Sequence, residues 1–309
     1  MRSISLINQK GGVGKTTSTA NLGASLAMLG KRVLLVDVDP QANLSVHFGI
    51  NIHDIEKSVY HLIMSEAPFE EVVQKTELPG LDIVPSQIAL SGAEIQLVGM
   101  VGRETILRDA LAPADGHFDY MLIDCPPSLG LLTLNALTTV KEVIIPLQTE
   151  FFALEGMSHL LKTVELVKKR INHELQITGI IACMYDARTS LAKAVHEKIR
   201  EYFGNKVFKT VIRKNIRLAE SPSHGQPITL YDPEAMGASD YLSLAKEVIA
   251  QETPAPATAP TVSPQVATPT PSPAPAATAS AQPAAKATQP TLPTITAATP
   301  KDRVSNNPN

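Results

Sequence analysis

No apolar run in this 309-residue chain approaches the roughly 20 residues that a membrane-spanning helix needs. The first seven residues are too short, and too soon followed by polar ones, for a secretory signal. Only two cysteines occur, Cys125 and Cys183, too few for a disulfide framework. The eight histidines are scattered, without the spacing of metal ligands. No internal repeat is visible. The net charge of −3 gives no overall attraction for a polyanion, so any such surface must come from local clustering. These absences lead us to expect a cytoplasmic protein.

Aromatic residues are missing altogether from residues 253–309, which are mostly Ala, Pro, Thr and Ser and hold 13 of the 24 prolines. Such a composition buries too little apolar surface to offset its ordering entropy, and we expect a disordered, partly polyproline II tail. It is either a solubilising extension or a docking segment. Lys286, Lys301 and Arg303 against Asp302 make it positive, so residues 1–252 carry about −5. Those residues suffice for one large α/β domain.

Within that domain, apolar and β-branched runs predict strands over 3–7, 32–36, 81–84, 120–123, 142–145 and 177–184. Between them, helical spacing predicts helices over 16–29, 87–98, 104–111, 129–140, 154–171, 191–203 and 238–250. Strands alternating with amphipathic helices predict a doubly wound, mostly parallel sheet with helices on both faces.

The first strand runs into INQKGGVGKTTSTAN, residues 7–21. Gly11, Gly12 and Gly14 allow backbone N–H groups to turn inward, and the helix that follows aims its positive end at the same point. Strand, glycine loop and helix in this order form a phosphate-binding site, with Lys15 neutralising phosphate and the Thr16 hydroxyl available to Mg²⁺. The first glycine of the general G-x-x-x-x-G-K-[ST] pattern is replaced by Gln9. What stands instead is K-G-G-V-G-K-T-T, from Lys10 through Val13 to Thr17. A second lysine, Lys10, therefore precedes the glycines. LLVDVDPQAN (34–43) places Asp37 and Asp39 at a strand end, and YMLIDCPPSLG (120–130) places Asp124 at another. Nucleotide sites of open α/β sheets form at such ends. Asp37 either assists a Mg²⁺ shell or caps its strand. The guanine-reading N-K-x-D motif is absent, which points to adenine.

Together with MYDARTSLA (184–192) and NIRLAESPSHGQPI (215–228), these segments closely resemble the ParA/Soj family of chromosome- and plasmid-partitioning ATPases. That family lies within the wider group of MinD and the nitrogenase iron protein, and the resemblance covers about residues 1–250. It implies a P-loop ATPase that uses ATP and Mg²⁺, with residues 10–17 holding the nucleotide. Thr16, Asp39 and Asp124 would be associated with the metal, and Asp39 would position the attacking water as switch I. Residues 125–130 match switch II. Asn215 and Pro222 would lie near the base. The resemblance also implies a homodimer closed over two ATP molecules, in which Lys10 reaches the partner's phosphates. A lysine preceding the glycine turn projects away from its own phosphate cradle, which suits such a target. ATP would order both switches and hydrolysis would release them. Turnover would be slow until a ParB-like partner accelerated it.

From Cys183 to Arg217, nine Lys/Arg face three acids. Such a run is either a solvated face or a contact for duplex phosphates. Arg188 and Arg217 match arginines that bind nonspecific double-stranded DNA in the family, which implies a nucleoid-associated protein. Lys193 and Arg200 share a helix face, seven residues apart. Relatives commonly read IPRN where this chain reads IRKN (212–215), so Arg213 and Lys214 add charge at that loop. Tyr202, Phe203 and Phe208 are expected in the core. Two other functions compete. A MinD-like membrane cycle is opposed by the lack of a terminal basic amphipathic helix. An iron-protein-type reductase is opposed by cysteines without glycine-rich surroundings.

Overall fold

The computed structural model describes residues 1–150, 153 and 157–252. The segment expected to be a tail, and the start of the helix expected at 154, lie outside the described residues. Strand β1 (Arg2–Leu6), helix α1 (Lys15–Met28) and strand β2 (Val33–Asp37) open the chain. Three short helices follow, α2 (Asn43–His47), α3 (Val59–Ile63) and α4 (Phe69–Val72), and then β3 (Gln74–Lys75) and β4 (Leu81–Val84). Helices α5 (Leu90–Leu97) and α6 (Ile106–Ala110) lead to β5 (Tyr120–Asp124), and α7 (Leu131–Thr139) leads to β6 (Glu142–Gln148). The second half holds α8 (Met157–Arg170), β7 (Gln176–Tyr185), α9 (Ser190–Phe203) and β8 (Val207–Arg213). It ends with α10 (Ile216–Glu220), α11 (Ile228–Tyr231) and α12 (Met236–Ala250).

The strands form one sheet in the order β3-β4-β2-β5-β1-β6-β7-β8, parallel throughout except for β3 against β4. The period of two along each strand feeds two separate cores. Val33 and Leu35 of β2 pack with Tyr120 and Leu122 under α1 and α12. Leu34 and Val36 pack with Met121 and Ile123 on the opposite side, under α3 to α9. Each fully buried Leu, Ile or Val contributes about 1.5–3 kcal/mol. The doubly wound sheet with helices on both faces is therefore as the apolar runs predicted.

Neighbouring strands β1 and β5 send their outgoing loops in opposite directions, one towards β2 and the other towards β6. That divergence opens a crevice at their carboxyl ends, where open α/β sheets bind ligands. Strand β8 was not expected, because Lys209 and Thr210 interrupt its apolar residues. It is an edge strand, and the N–H groups of Lys209 and Thr210 donate to the Glu247 carboxylate of α12, at 2.8 and 2.7 Å, instead of to another strand.

Two loops on the carboxyl side touch backbone to backbone. Gly225 has φ +65°, and a Cβ there would lie 2.6 Å from the Cα of Gly49. Gly225→Ala should therefore lose about 2 kcal/mol or more, from left-handed strain plus a clash with main chain, read as a lowered urea midpoint.

Candidate nucleotide site and basic surface

The loop leaving β1 is braced before it turns. Asn8 donates through Nδ2 to the Pro146 carbonyl (2.7 Å) and accepts the Lys10 N–H at Oδ1 (3.0 Å). Gly12 and Gly14 then take φ of +71° and +91°, a conformation that L side chains resist. Gly14 is the N-cap of α1, which has no side-chain cap and no acidic residue in its first turn. The free N–H groups and positive end of a 14-residue helix are thus offered to an anion. Lys15, only 7% exposed, stands at that end.

Opposite the loop, three carboxylates gather at strand ends. Asp37 and Asp124 are directly paired in register across β2 and β5, and both are fully buried. Asp124 Oδ2 accepts the Thr16 hydroxyl at 2.7 Å, and its Oδ1 accepts that of Thr19 at 3.4 Å. Burial pushes the Asp124 carboxyl well above its ordinary range, and the charge of Asp37 adds to the rise. Asp39 is 7% exposed, and its Oδ1 accepts the Gln41 N–H at 3.0 Å. A hydroxyl, three carboxylates and a buried lysine around an uncapped helix end fit a phosphate chain and a hard divalent cation. The cation would relieve the buried negative charge. Asp37, which the sequence left open between two roles, is engaged by three protein donors. Its Oδ2 accepts the Ser45 N–H (2.9 Å) and hydroxyl (2.7 Å), and its Oδ1 accepts the Asp39 N–H (3.2 Å).

Lys10 lies apart from this cradle. Its side chain is 43% exposed, and the ammonium donates to Gln148 Oε1 and Glu150 Oε2, both at 3.3 Å. Neither partner was recognised from the sequence, since each is about 140 residues away without a local pattern. Asn215 and Pro222 fall in the stretch after β8. Asn215 caps α10, accepting the Leu218 N–H at 3.4 Å, and Pro222 lies in a 3₁₀ turn (Ser221–His224). The Ile228 N–H donates to Asn21 Oδ1 of α1 at 2.7 Å, which ties the end of this stretch to the P-loop helix.

The basic segment is less positive in space than in sequence. Glu220, Asp232 and Asp240, all from beyond the segment, pair with its arginines and halve its excess. Arg213 forks onto Asp240 through Nε and Nη2, so its guanidinium faces α12. Arg217 pairs with Glu220 and Asp232 and lies 5.8 Å from the Tyr231 ring centre. Arg188 is 87% exposed and holds Asp186 at 2.7 Å, drawing that carboxyl down to about 2. Lys193, Arg200 and Lys214 are exposed, with no ion-pair partner among the described residues. Arg188, Lys193, Lys214 and Arg217 follow or open elements at the carboxyl edge. Arg200 shares the Lys193 face of α9 but lies two turns further along it, about 10 Å away.

Of the three aromatic residues expected in the core, Phe208 is buried in the core under α1 and α12, and the partly exposed Phe203 packs against the core on the opposite face. Tyr202 is 49% exposed, a correction: Phe203 takes the inward position and meets Tyr202 edge-on. Cys125 and Cys183 are buried, with burial pushing both thiols up to about 12, as inert structural residues should be. Among the described residues no His, Cys, Asp and Glu group has metal-holding geometry by itself, and no helix is long and apolar enough to cross a membrane.

Comparison with known proteins agrees with this geometry. Residues 1–177 match the family described as an AAA domain. The sporulation initiation inhibitor protein Soj of Bacillus subtilis is 53% identical over 247 residues, covering 80% of this chain and 98% of Soj. The chromosome partitioning protein ParA of Caulobacter vibrioides is 48% identical over 254 residues, covering 82% and 95%. Among solved structures, a cobyrinic acid a,c-diamide synthase from Mycobacterium smegmatis with bound ADP and magnesium superposes with a TM-score of 0.71. It is 35% identical, over 81% of this chain and 94% of that one. About half of the aligned residues are thus shared with Soj and ParA across nearly those proteins' whole length, on a sheet and loop built for a nucleotide. The chain belongs to the Soj/ParA family of chromosome-partitioning ATPases.

Proposed function

We propose that this protein is an ATP-switched DNA-segregation ATPase that closes into a dimer over two Mg²⁺–ATP molecules and binds nonspecific duplex DNA in that form. The observation that carries the reading is the division between two lysines. Lys15 is buried at the uncapped end of α1, whereas Lys10 is exposed at the rim and free of that cradle.

In this reading the N–H groups of the loop and Lys15 bind the phosphates, and Thr16 and Asp124 hold the cation side. Mg²⁺ supplies charge neutralisation to the transferring phosphoryl group. Asp39 orients the attacking water. Lys10 leaves its surface pair with Glu150, which is worth under about 1 kcal/mol, and serves the partner's site. The loop at 125–130 and the turn after β2 respond to the nucleotide. A ParB-like partner, bound to centromere-like sites, stimulates hydrolysis and releases the dimer from the nucleoid. Asn215 and Pro222 flank the base.

Lys10→Ala should bind nucleotide within about threefold of wild type, because the residue lies outside its own cradle, yet lose hydrolysis by about 10³-fold, the scale of an arginine finger. Nucleotide titration and phosphate release on the same preparation check both halves. For the DNA surface, Arg188, Lys193, Lys214 and Arg217 are the contacts, with Arg200 lower on the same face. Arg213 joins them on leaving Asp240. Contacts to phosphate alone make binding sequence-independent and salt-sensitive. Arg188→Glu with Arg217→Glu should remove plasmid co-sedimentation while dimerisation with ATP persists. Unchanged retention on DNA would reject the patch. Liposomes run in parallel should stay unbound, and sedimentation with liposomes instead of plasmid would favour a membrane cycle.

A further inference from the structure

We propose that Asp37 and Ser45 are positioning residues for Asp39, forming with Ser86 a buried clamp that sets the switch I turn, and that Asp37 does not ligate the metal. The proposal rests on the reading of Asp39 as the residue that orients water.

Between β2 and α2 the chain makes a demanding turn. The Ala42 N–H donates to the Asp39 carbonyl at 2.8 Å, and Ala42 adopts φ +53° as the N-cap of α2. A residue with a Cβ pays for that conformation, and alanine has no side chain with which to cap the helix. Such strain persists only where the surroundings over-determine it. Here the surroundings are Asp37. From the end of β2 its Oδ2 accepts both the N–H and the hydroxyl of Ser45, in the first turn of α2, so it acts as a cap supplied from a neighbouring strand. Its Oδ1 takes the Asp39 N–H at 3.2 Å, which fixes the other end of the turn.

The clamp reaches one element further. The Ser45 hydroxyl, donating to Asp37, accepts the Ser86 N–H at 2.9 Å, and the neighbouring Pro85 carbonyl accepts the Val59 N–H at 2.8 Å. Asp37, Ser45 and Ser86 are each fully buried. With three protein donors on its two oxygens, the Asp37 carboxylate is directed into the turn and away from metal duty. Asp124, whose carboxylate oxygens accept the hydroxyls of Thr16 and Thr19 on the P-loop helix and no other hydrogen bond among the described residues, is the carboxylate left for the cation.

The test compares Asp37→Asn, Ser45→Ala and the double variant, with Asp39→Ala alongside. For each, ATP affinity, kcat and the Mg²⁺ concentration at half-maximal rate are measured. A clamp that lets Asp39 drift by about 1 Å predicts a fall in kcat of roughly 10²-fold, with ATP affinity and Mg²⁺ requirement within about threefold. The double variant should be no worse than the poorer single one, because both break one unit. Amide hydrogen exchange should accelerate over 39–48 while the central strands keep their protection, a reading that stands even if Asp37→Asn is poorly soluble and Ser45→Ala alone is available. An Asp37→Asn protein whose Mg²⁺ requirement rises tenfold or more, beside a fully active Ser45→Ala protein, would overturn the proposal in favour of a metal ligand. If Asp39→Ala itself hydrolyses ATP normally, the water-orienting reading falls and the clamp's purpose with it. If Asp39→Ala is inactive and Ser45→Ala is not impaired, only the clamp falls.

Discussion

Lys15→Ala is expected to lose ATP binding by about 100-fold or more, measured by titration with a fluorescent nucleotide or by calorimetry. The ammonium is almost fully buried at the positive end of α1, so its bond to a phosphate oxygen forms in a poorly solvated place. Charge-assisted bonds of this kind contribute about 1.5–3 kcal/mol, and each 1.4 kcal/mol is tenfold in affinity. The loss is enlarged because Lys15 is a cation acting on the buried Asp124 carboxyl. Its charge draws the Asp124 carboxyl down against burial and Asp37. Without it, a triphosphate would enter a still more negative crevice. Lys10 does not compensate, since it precedes the glycine turn and lies outside its own phosphate cradle. Binding within threefold of wild type would mean that the phosphates lie elsewhere.

The second large effect is on turnover. Asp39→Ala is expected to slow hydrolysis by about 10²–10⁴-fold, the usual contribution of a positioned acid or base, without weakening nucleotide binding. Asp39 touches neither the Thr16 hydroxyl nor the glycine loop; its carboxylate receives the Gln41 N–H within its own turn. Removing it leaves the phosphate cradle intact, so the protein should accumulate as an ATP-bound dimer that remains on DNA. Single-turnover phosphate release and size analysis after ATP addition check the two parts. Rapid turnover by this variant would refute the switch I assignment.

What could be read from the sequence was what neighbouring residues decide. Buried parallel strands are nearly continuous apolar runs, so β1, β2, β4, β5, β6 and β7 were legible, with α1, α5, α6, α7, α9 and α12, as was a phosphate loop whose glycines, lysine and threonine are contiguous. What escaped depends on distant partners. Strand β8 reads as interrupted because its exposed edge is satisfied by Glu247, some 37 residues on. The start of α2 carries no local signal, since Ala42 cannot cap and Asp37 does so from another element. Helix α3 does have a capping box, but with His61 where Glu or Gln is usual. In the basic segment, counting charges gave the composition of the patch but not its pairing, because the acids that hold Arg213 and Arg217 come from residues 220–240. Lys10 was singled out by position alone, and only the fold reveals that Glu150 holds it in the single chain.

The most direct test of the central claim is the mass of the purified protein in solution, by light scattering after size exclusion, with ADP and then with a slowly hydrolysed ATP analogue, each with and without plasmid. The account predicts a monomer that ignores DNA with ADP, and a dimer that binds DNA and is salt-sensitive with the analogue. A protein that stayed monomeric with the analogue, or bound plasmid equally in both nucleotide states, would contradict it.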